Sequence, residues 1–335
     1  MKELHYATGG ALGGTRVDEE FVKLMEKIFG DRFIRDFKSK HASLWLQMVC
    51  DFESKKKAVS TDRSASTNIE VLWGFASAYS ESNGGQDVGK AVSRCGVKGV
   101  KFSNGKIQIS ADLARELFKP VVSGIVDHIR DLMRRPDLRG IEYFFLVGGF
   151  SESEMVQSAI FKAFDDVTVL VPDESSLAVM KGAVAFGHEP GTIASRRAKL
   201  SYGIEHMSDF DPSEHKREKR IEIEGRVKCR DLFEIYIKAG EEMEQDFSKT
   251  VNFSPARANQ QGANVEIYSS TKHDVKYIDD YGCEKLGDIH VNWPGNGLDR
   301  RLEITMTFGG TEIHVKAKSF PGGHTAATKI DFLSN

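Results

Sequence analysis

Nowhere in these 335 residues does an apolar run approach the roughly 20 positions a membrane-spanning helix needs. The opening MKELHYATGG has no apolar centre, so it does not read as a secretion signal. The four cysteines (Cys50, Cys95, Cys229, Cys283) are scattered with no close pair, which excludes a disulfide framework and argues for a reducing compartment, with a cytoplasmic location expected. Ten histidines show no metal-ligand spacing, so no metal site is expected. A basic surplus is also missing. Forty-six Lys and Arg face 49 Asp and Glu, for a net charge of −3, which speaks against a nucleic-acid partner. No internal repeat or low-complexity segment is found.

What is present suits a globular protein of two domains, since one core rarely organises more than about 250 residues. Hydrophobic content is 40% and charged content 28%. In the first half, Val17, Phe21, Leu24, Met25, Ile28 and Phe29 recur at helical spacing, and a second helical stretch is predicted over Asp31 to Val59. VKFSNGKIQIS reads as a hairpin turning at Asn104-Gly105, and Ser110 as the N-cap of a long amphipathic helix. IEYFFLV (Ile141 to Val147) is a continuous apolar run, expected to be a strand buried on both faces. With Gly148-Gly149, the helix SESEMVQSAIFKAF, the strand VTVLV and the helix SSLAVMKGAVAFG, it makes a βαβα pattern that implies a parallel sheet. Past HEPGTIASRRAKLSYG the pattern turns to period two, in RIEIEGRV, LFEIYIKAG, KTVNFSPA, ANVEIYSS, DIHVNW and RLEITMTFGGTEIHVKAKSF, as in an antiparallel β-sandwich. The expected fold is thus an α/β domain followed by an antiparallel β-sandwich, the boundary lying near residues 190 to 200.

Four separated segments could meet on one nucleotide. YATGGALGGTRVDEEF is a Gly-rich turn entering a helix, where backbone N–H groups at the positive end of the helix dipole can cradle phosphate oxygens. CDFESKKKAVS offers Glu53, Lys56 and Ser60 at one-turn intervals, so all three can face one ligand. LVGGFSESE lets an adenosine come close to the backbone, and VPDESS sets Asp173 after the next strand. Each has a plainer explanation, in close helix packing, a solvated helix face or a cap, and it is their joint order that favours the ligand. The basic EHKREKR, with acidic neighbours, is read as an exposed loop.

ALGGTRVDEEF, FESKKKAVS, FLVGGFSESEMVQSAI and PDESSLAVMKGAVAFG resemble the phosphate turn, ribose and adenine helix, adenosine motif and closing helix of the second lobe of the heat-shock protein 70 ATPase domain, in the actin-like superfamily. LSYGIE, FEIYIKAGEEM, VNFSPARANQQGANVEIY, LGDIHVNW and RLEITMTFGGTEIHVKAKSF resemble that family's substrate-binding β-sandwich, in the same order. TGGALGGT, FESKKK and the Phe after Gly-Gly are most similar to the divergent heat shock 70 kDa protein 12 branch. The resemblance implies an actin-like nucleotide-binding lobe over 1–190, with its first lobe absent, and a peptide-binding sandwich over 198–332; it makes the chain look N-terminally truncated. It assigns Gly13, Gly14 and Thr15 to phosphates and Glu53, Lys56 and Ser60 to ribose and adenine. Gly148, Gly149 and Glu152 fall to the adenosine motif, Asp173 lies beneath the nucleoside, and Phe253, Ala263 and Val265 line a cleft for hydrophobic peptides.

Three departures qualify the resemblance. Gly9 stands where the family carries an acid that positions metal and water, Glu152 replaces an adenine-stacking arginine, and Ala263 replaces a bulkier aliphatic. No residue is therefore assigned as catalytic. The implied cofactor is ATP or ADP, with magnesium expected only if a first lobe is supplied, and with little or no hydrolysis by this chain alone. The implied partners are hydrophobic peptide segments or client proteins, with co-chaperones, in a chaperone role. A non-catalytic adaptor that keeps the fold without nucleotide turnover is the competing expectation.

Overall fold

Gly13 and Gly14 start the first helix, α1 (Gly14–Phe29), and its six spaced apolar residues, Val17 to Phe29, are all buried. The computed structural model describes residues 1–308, 310 and 312–331. They form two compact units, one of Gly9–Gly187 and one of Met1–Thr8 together with the residues from His188 on.

In the first unit, α2 (Asp31–Lys40) and α3 (Ala42–Lys56) replace the single helical stretch expected over Asp31 to Val59. The break falls at His41, whose backbone leaves the helical region at φ −131°, ψ 47°. A straight helix over that span would run about 40 Å, and the break lets both pieces pack on α1. Next come β1 (Thr67–Glu70), α4 (Trp73–Ser82), α5 (Val88–Arg94), β2 (Val100–Ser103) and β3 (Lys106–Ile109). β2 and β3 form the expected hairpin, with Asn104 at φ 51° and Gly105 at φ 71° as a type I′ turn requires. β1 joins them in an antiparallel sheet of order β1-β3-β2. Ser110 caps α6 (Ala111–Met133), its Oγ accepting from the Leu113 amide at 3.3 Å.

β4 (Tyr143–Phe145), a 3-10 turn over Gly149–Glu152, α7 (Glu154–Ala163), β5 (Thr168–Leu170) and α8 (Ser175–His188) follow. β4 and β5 pair in parallel, Tyr143 opposite Thr168. The apolar run does not become a strand buried on both faces. Phe144 and Leu146 pack against Val156, Ile160 and Phe164, whereas Tyr143 and Phe145 are 53% and 65% exposed. The pleat sends alternate side chains to opposite faces, and only one face is covered. α8 is also bare: Ser175 is its buried residue, while Val179, Met180 and Val184 stand open to solvent. A helix apolar all round and a parallel strand pair are ordinarily buried, so this is an apolar surface without a cover among the described residues.

The second unit is built from β6 (Ser195–Arg197), β7 (Ser201–Asp209), β8 (Arg220–Ile223), β9 (Arg226–Ile237), β10 (Glu242–Glu244) and β11 (Ser248–Phe253). It continues through β12 (Gly262–Ser270), β13 (Cys283–Asn292), β14 (Arg301–Thr307), β15 (Glu312–Phe320) and β16 (Thr325–Asp331). β6 pairs with β10; the larger sheets have orders β13-β12-β7-β9-β8 and β11-β14-β15-β16, every pairing antiparallel. Period-two side chains from both sheets fill one apolar cluster, with Ile204, Val265, Ile267 and Val291 from one and Leu302, Ile304, Met306 and Val315 from the other. β16 has no counterpart in the sequence reading, and Phe332, the last residue of the expected 198–332 domain, lies outside the described residues. Residues 1–8 join this unit through Glu3, whose amide donates to the Ser195 carbonyl at 3.1 Å, and Lys2, whose ammonium lies 2.8 Å from Glu242.

The basic run Glu214 to Arg220 is largely exposed, as expected, but it is anchored at Lys219. Lys219 is 6% exposed and pairs with Asp231 at 2.8 Å and Asp279 at 2.6 Å. Among the described residues no helix is long and apolar enough to cross a membrane.

Candidate functional site

The first turn of α1, the last turns of α3 and the 3-10 turn after β4 surround a cavity of about 650 Å³ in the first unit. Gly14, Thr15, Glu53, Lys56, Gly149 and Glu152 all line it. Gly13, the N-cap of α1, brings no side chain to satisfy the first amides of the helix, which leaves that end suited to an anion. A Cβ on Gly14 would sit 3.3 Å from the Phe150 ring and 3.5 Å from Lys56 Nζ, so glycine keeps this corner open. Gly148 adopts φ 92°, a left-handed conformation suited to glycine, and its amide donates to the Ser175 carbonyl at 2.7 Å, turning the chain from β4 towards the cavity.

Lys56 is not idle. Its Nζ lies 2.5 and 2.6 Å from the two carboxylate oxygens of Asp18 and donates to the Gly14 carbonyl at 2.9 Å. Burial pushes the Asp18 carboxyl up, while the bond from Lys56 draws it back. Asp18, Glu53 and Glu152 line the cavity with Lys56 and Lys57, a surplus of one acid. The wall therefore suits a nucleoside better than a bare polyphosphate. Carboxylates can accept from ribose hydroxyls, Phe118 and Phe150 offer apolar area, and phosphate oxygens would rely on the α1 amides.

Four of the expected residues, Gly13, Ser60, Gly148 and Asp173, do not line this cavity. Ser60 is buried, its Oγ donating to Asp62 at 2.9 Å, and it lines a different cavity. Asp173 is exposed in the turn before α8, and Gly13 does not line the cavity. Asp18 and Phe150 were not singled out as site residues. Asp18 follows Gly14 by one helical turn, and Phe150 follows Gly-Gly directly, so both carried a positional signal.

A groove of about 410 Å³ opens in the second unit where β11 and β12 approach, and Phe253, Ala263 and Val265 all line it. Val251, Trp293, Leu302 and Ile304 line it as well, and Glu205, Arg226, Lys228 and Glu234 give it charge. Val265 is only 4% exposed and belongs to the shared core as much as to the groove. The His206 ring lies 5.9 Å from that of Phe253. Burial pulls the His206 imidazole down, with Glu234 opposing, whereas burial pushes the Glu205 carboxyl up, reinforced by Glu266 and Asp231. Arg300, 4% exposed, ties the neighbouring loops together. Its guanidinium donates to the carbonyls of Gln260 (2.7 Å), Trp293 (2.6 Å), Ala258 (3.0 Å) and Gly297 (3.0 Å).

No protein-family model matches the chain. Along its whole length it is 35% identical, over 341 residues, to heat shock 70 kDa protein 12A of Mus musculus. It is 34% identical, over 348 residues, to heat shock 70 kDa protein 12B of Homo sapiens, and 34% identical to human 12A. Over its full length the chain is therefore similar to the 12A and 12B proteins, the heat-shock protein 70 branch that its motifs resemble. It spans about half the length of these curated relatives, 50% of 12A and 51% of 12B.

Proposed function

We propose that this chain is a divergent heat-shock-70-like module whose second unit is a β-sandwich that binds extended hydrophobic peptide segments of client proteins. The observation that carries this reading is the groove that brings Phe253, Ala263 and Val265 together from β11 and β12. Its apolar lining takes an aliphatic side chain, and its charged residues keep the mouth wetted. Ala263 leaves more room than a larger aliphatic would, which admits a bulkier anchor. Fluorescence anisotropy with labelled hydrophobic peptides tests this. Phe253→Ala is expected to weaken binding by about tenfold, as for a hot-spot aromatic. Unchanged binding would remove the groove from the site.

The first unit, on this proposal, is the second lobe of an actin-like domain, and its cavity holds the nucleoside end of ATP or ADP. Glu53 would accept from the ribose, and the α1 amides would meet a phosphate. Magnesium would enter only with a first lobe. Gly9 has no side chain with which to orient an attacking water, so little or no hydrolysis is proposed for this chain alone. The pairing of Lys56 with Asp18 favours a second reading, a non-catalytic adaptor that keeps the fold without turnover. Calorimetric titration with magnesium-ATP separates the two. Micromolar binding supports the nucleotide reading, and no heat at millimolar nucleotide supports the adaptor.

A further inference from the structure

A second cavity of about 360 Å³ lies in the first unit beside the end of α3, and it plays no part in the proposal above. Lys55, Arg63, Lys106 and Arg115 line it, and no carboxylate does. Two of these cations are partly spent. Lys55 reaches Asp51 at 2.7 Å, and Arg115 reaches Asp112 at 2.6 Å. Arg63 and Lys106 hold no side-chain hydrogen bond or ion pair among the described residues. Ala111, in the first turn of α6, adds the positive end of a 23-residue helix to the same wall.

Asn68 makes the selection sharper. It lines the cavity, and its side-chain oxygen is buried without a hydrogen-bond partner, a costly state that a ligand donor would relieve. Asp62, the chain neighbour of Arg63, feels the guanidinium's charge but takes no hydrogen bond or ion pair from it, so a wall with two such cations and one orphan acceptor asks for negative charge and a hydroxyl on the same molecule. Arg63 can grip two oxygens of one phosphate side by side. Ala58, Val59 and Ala114 leave room for a short carbon skeleton.

We propose that this cavity binds a small hydroxyl-bearing phosphomonoester, with the phosphate on Arg63 and Lys106 and a hydroxyl donating to Asn68. Isothermal titration of the intact chain with glycerol 3-phosphate, inorganic phosphate and glycerol tests this. Glycerol 3-phosphate is expected to bind more tightly than inorganic phosphate, and glycerol to give no heat. Arg63→Ala and Lys106→Ala should each weaken binding about tenfold, the loss of one charge-assisted contact. Asn68→Val should bring the two phosphates level, and Lys27→Ala, on the exposed side of α1, should change nothing. Arg63 and Lys106 are exposed, so their variants should keep the parent's melting temperature, and Lys106→Gln serves if the alanine form does not. No heat from either phosphate at millimolar concentration overturns the proposal. So does unchanged binding by the Arg63 and Lys106 variants, or equal weakening by Lys27→Ala.

Discussion

Replacing Arg300 tests how the groove of the second unit is held open. The side chain is almost wholly buried, and its four partners are main-chain carbonyls from three stretches, Ala258 to Gln260, Trp293 and Gly297. At about 1 kcal/mol net per bond, Arg300→Ala should cost about 4 kcal/mol, because the carbonyls lose their donors together. Arg300→Lys keeps the charge but not the planar fork, and an ammonium can serve about two of the four, so it should cost about 2 kcal/mol. Trp293 lies under the guanidinium at 5.5 Å and reports the site directly. In a Trp45→Phe, Trp73→Phe background, urea unfolding followed by Trp293 fluorescence reads the second unit alone. Gln260, Trp293 and Leu298 also line the groove, so peptide affinity should fall in the same order, alanine below lysine below arginine. A lysine variant as stable as its parent, or an alanine variant losing under about 1 kcal/mol, would refute the account of Arg300 as a four-point clamp.

Other outcomes follow from the same geometry. Asp18→Asn should release Lys56 and remove the acid surplus of the first cavity, so magnesium-ATP affinity by calorimetry should rise about tenfold; a fall would contradict the charge argument. Glu205 has a carboxyl raised by burial, Glu266 and Asp231, so its ionised form destabilises the fold above the raised value. Glu205→Gln should therefore raise the melting temperature by about 2–4 °C at neutral pH, and the gain should fade as pH falls through the raised value towards the ordinary 4.5. Burial pulls the Lys219 ammonium down, but Asp231 and Asp279 outweigh it and hold it raised. Lys219→Met should cost about 3 kcal/mol in guanidinium unfolding. The parent alone should also lose stability as pH rises from the ordinary 10.5 through the raised value.

Features set by near neighbours in the chain could be read from the sequence. The buried stripe of α1 follows from its spacing, the β2–β3 turn from Asn104-Gly105, and the α6 cap from Ser110. Strands β9 and β11 to β15 follow from period-two alternation, because each sets one face on a core. The order of motifs also anticipated a common cavity for Gly14, Thr15, Glu53, Lys56, Gly149 and Glu152. Features that depend on distant partners were not legible. IEYFFLV reads the same whether one face is covered or two, and Tyr143 and Phe145 reveal the difference only in space. Lys56 looked available because its partner, Asp18, lies 38 residues earlier. Arg300 was not singled out, since its bonds reach back 40 and 42 residues. Ser60 has the right helical offset from Lys56, but α3 ends at Lys56, so the periodicity no longer holds where Ser60 lies.

The attachment of residues 1–8 to β6 and β10 has a consequence in time. The Glu3 carboxylate accepts from the Arg197 amide at 2.7 Å, 194 residues further along the chain. A ribosome adding about 5–20 residues per second needs roughly 10–40 seconds to cover that distance. For that interval residues 1–8 are synthesised and waiting, with the whole of the first unit emerging before their partners exist. The second unit thus cannot be completed in the order it is made. A stall before Ser195 would leave this segment loose and open to proteolysis, while the first unit behind it could already be folded.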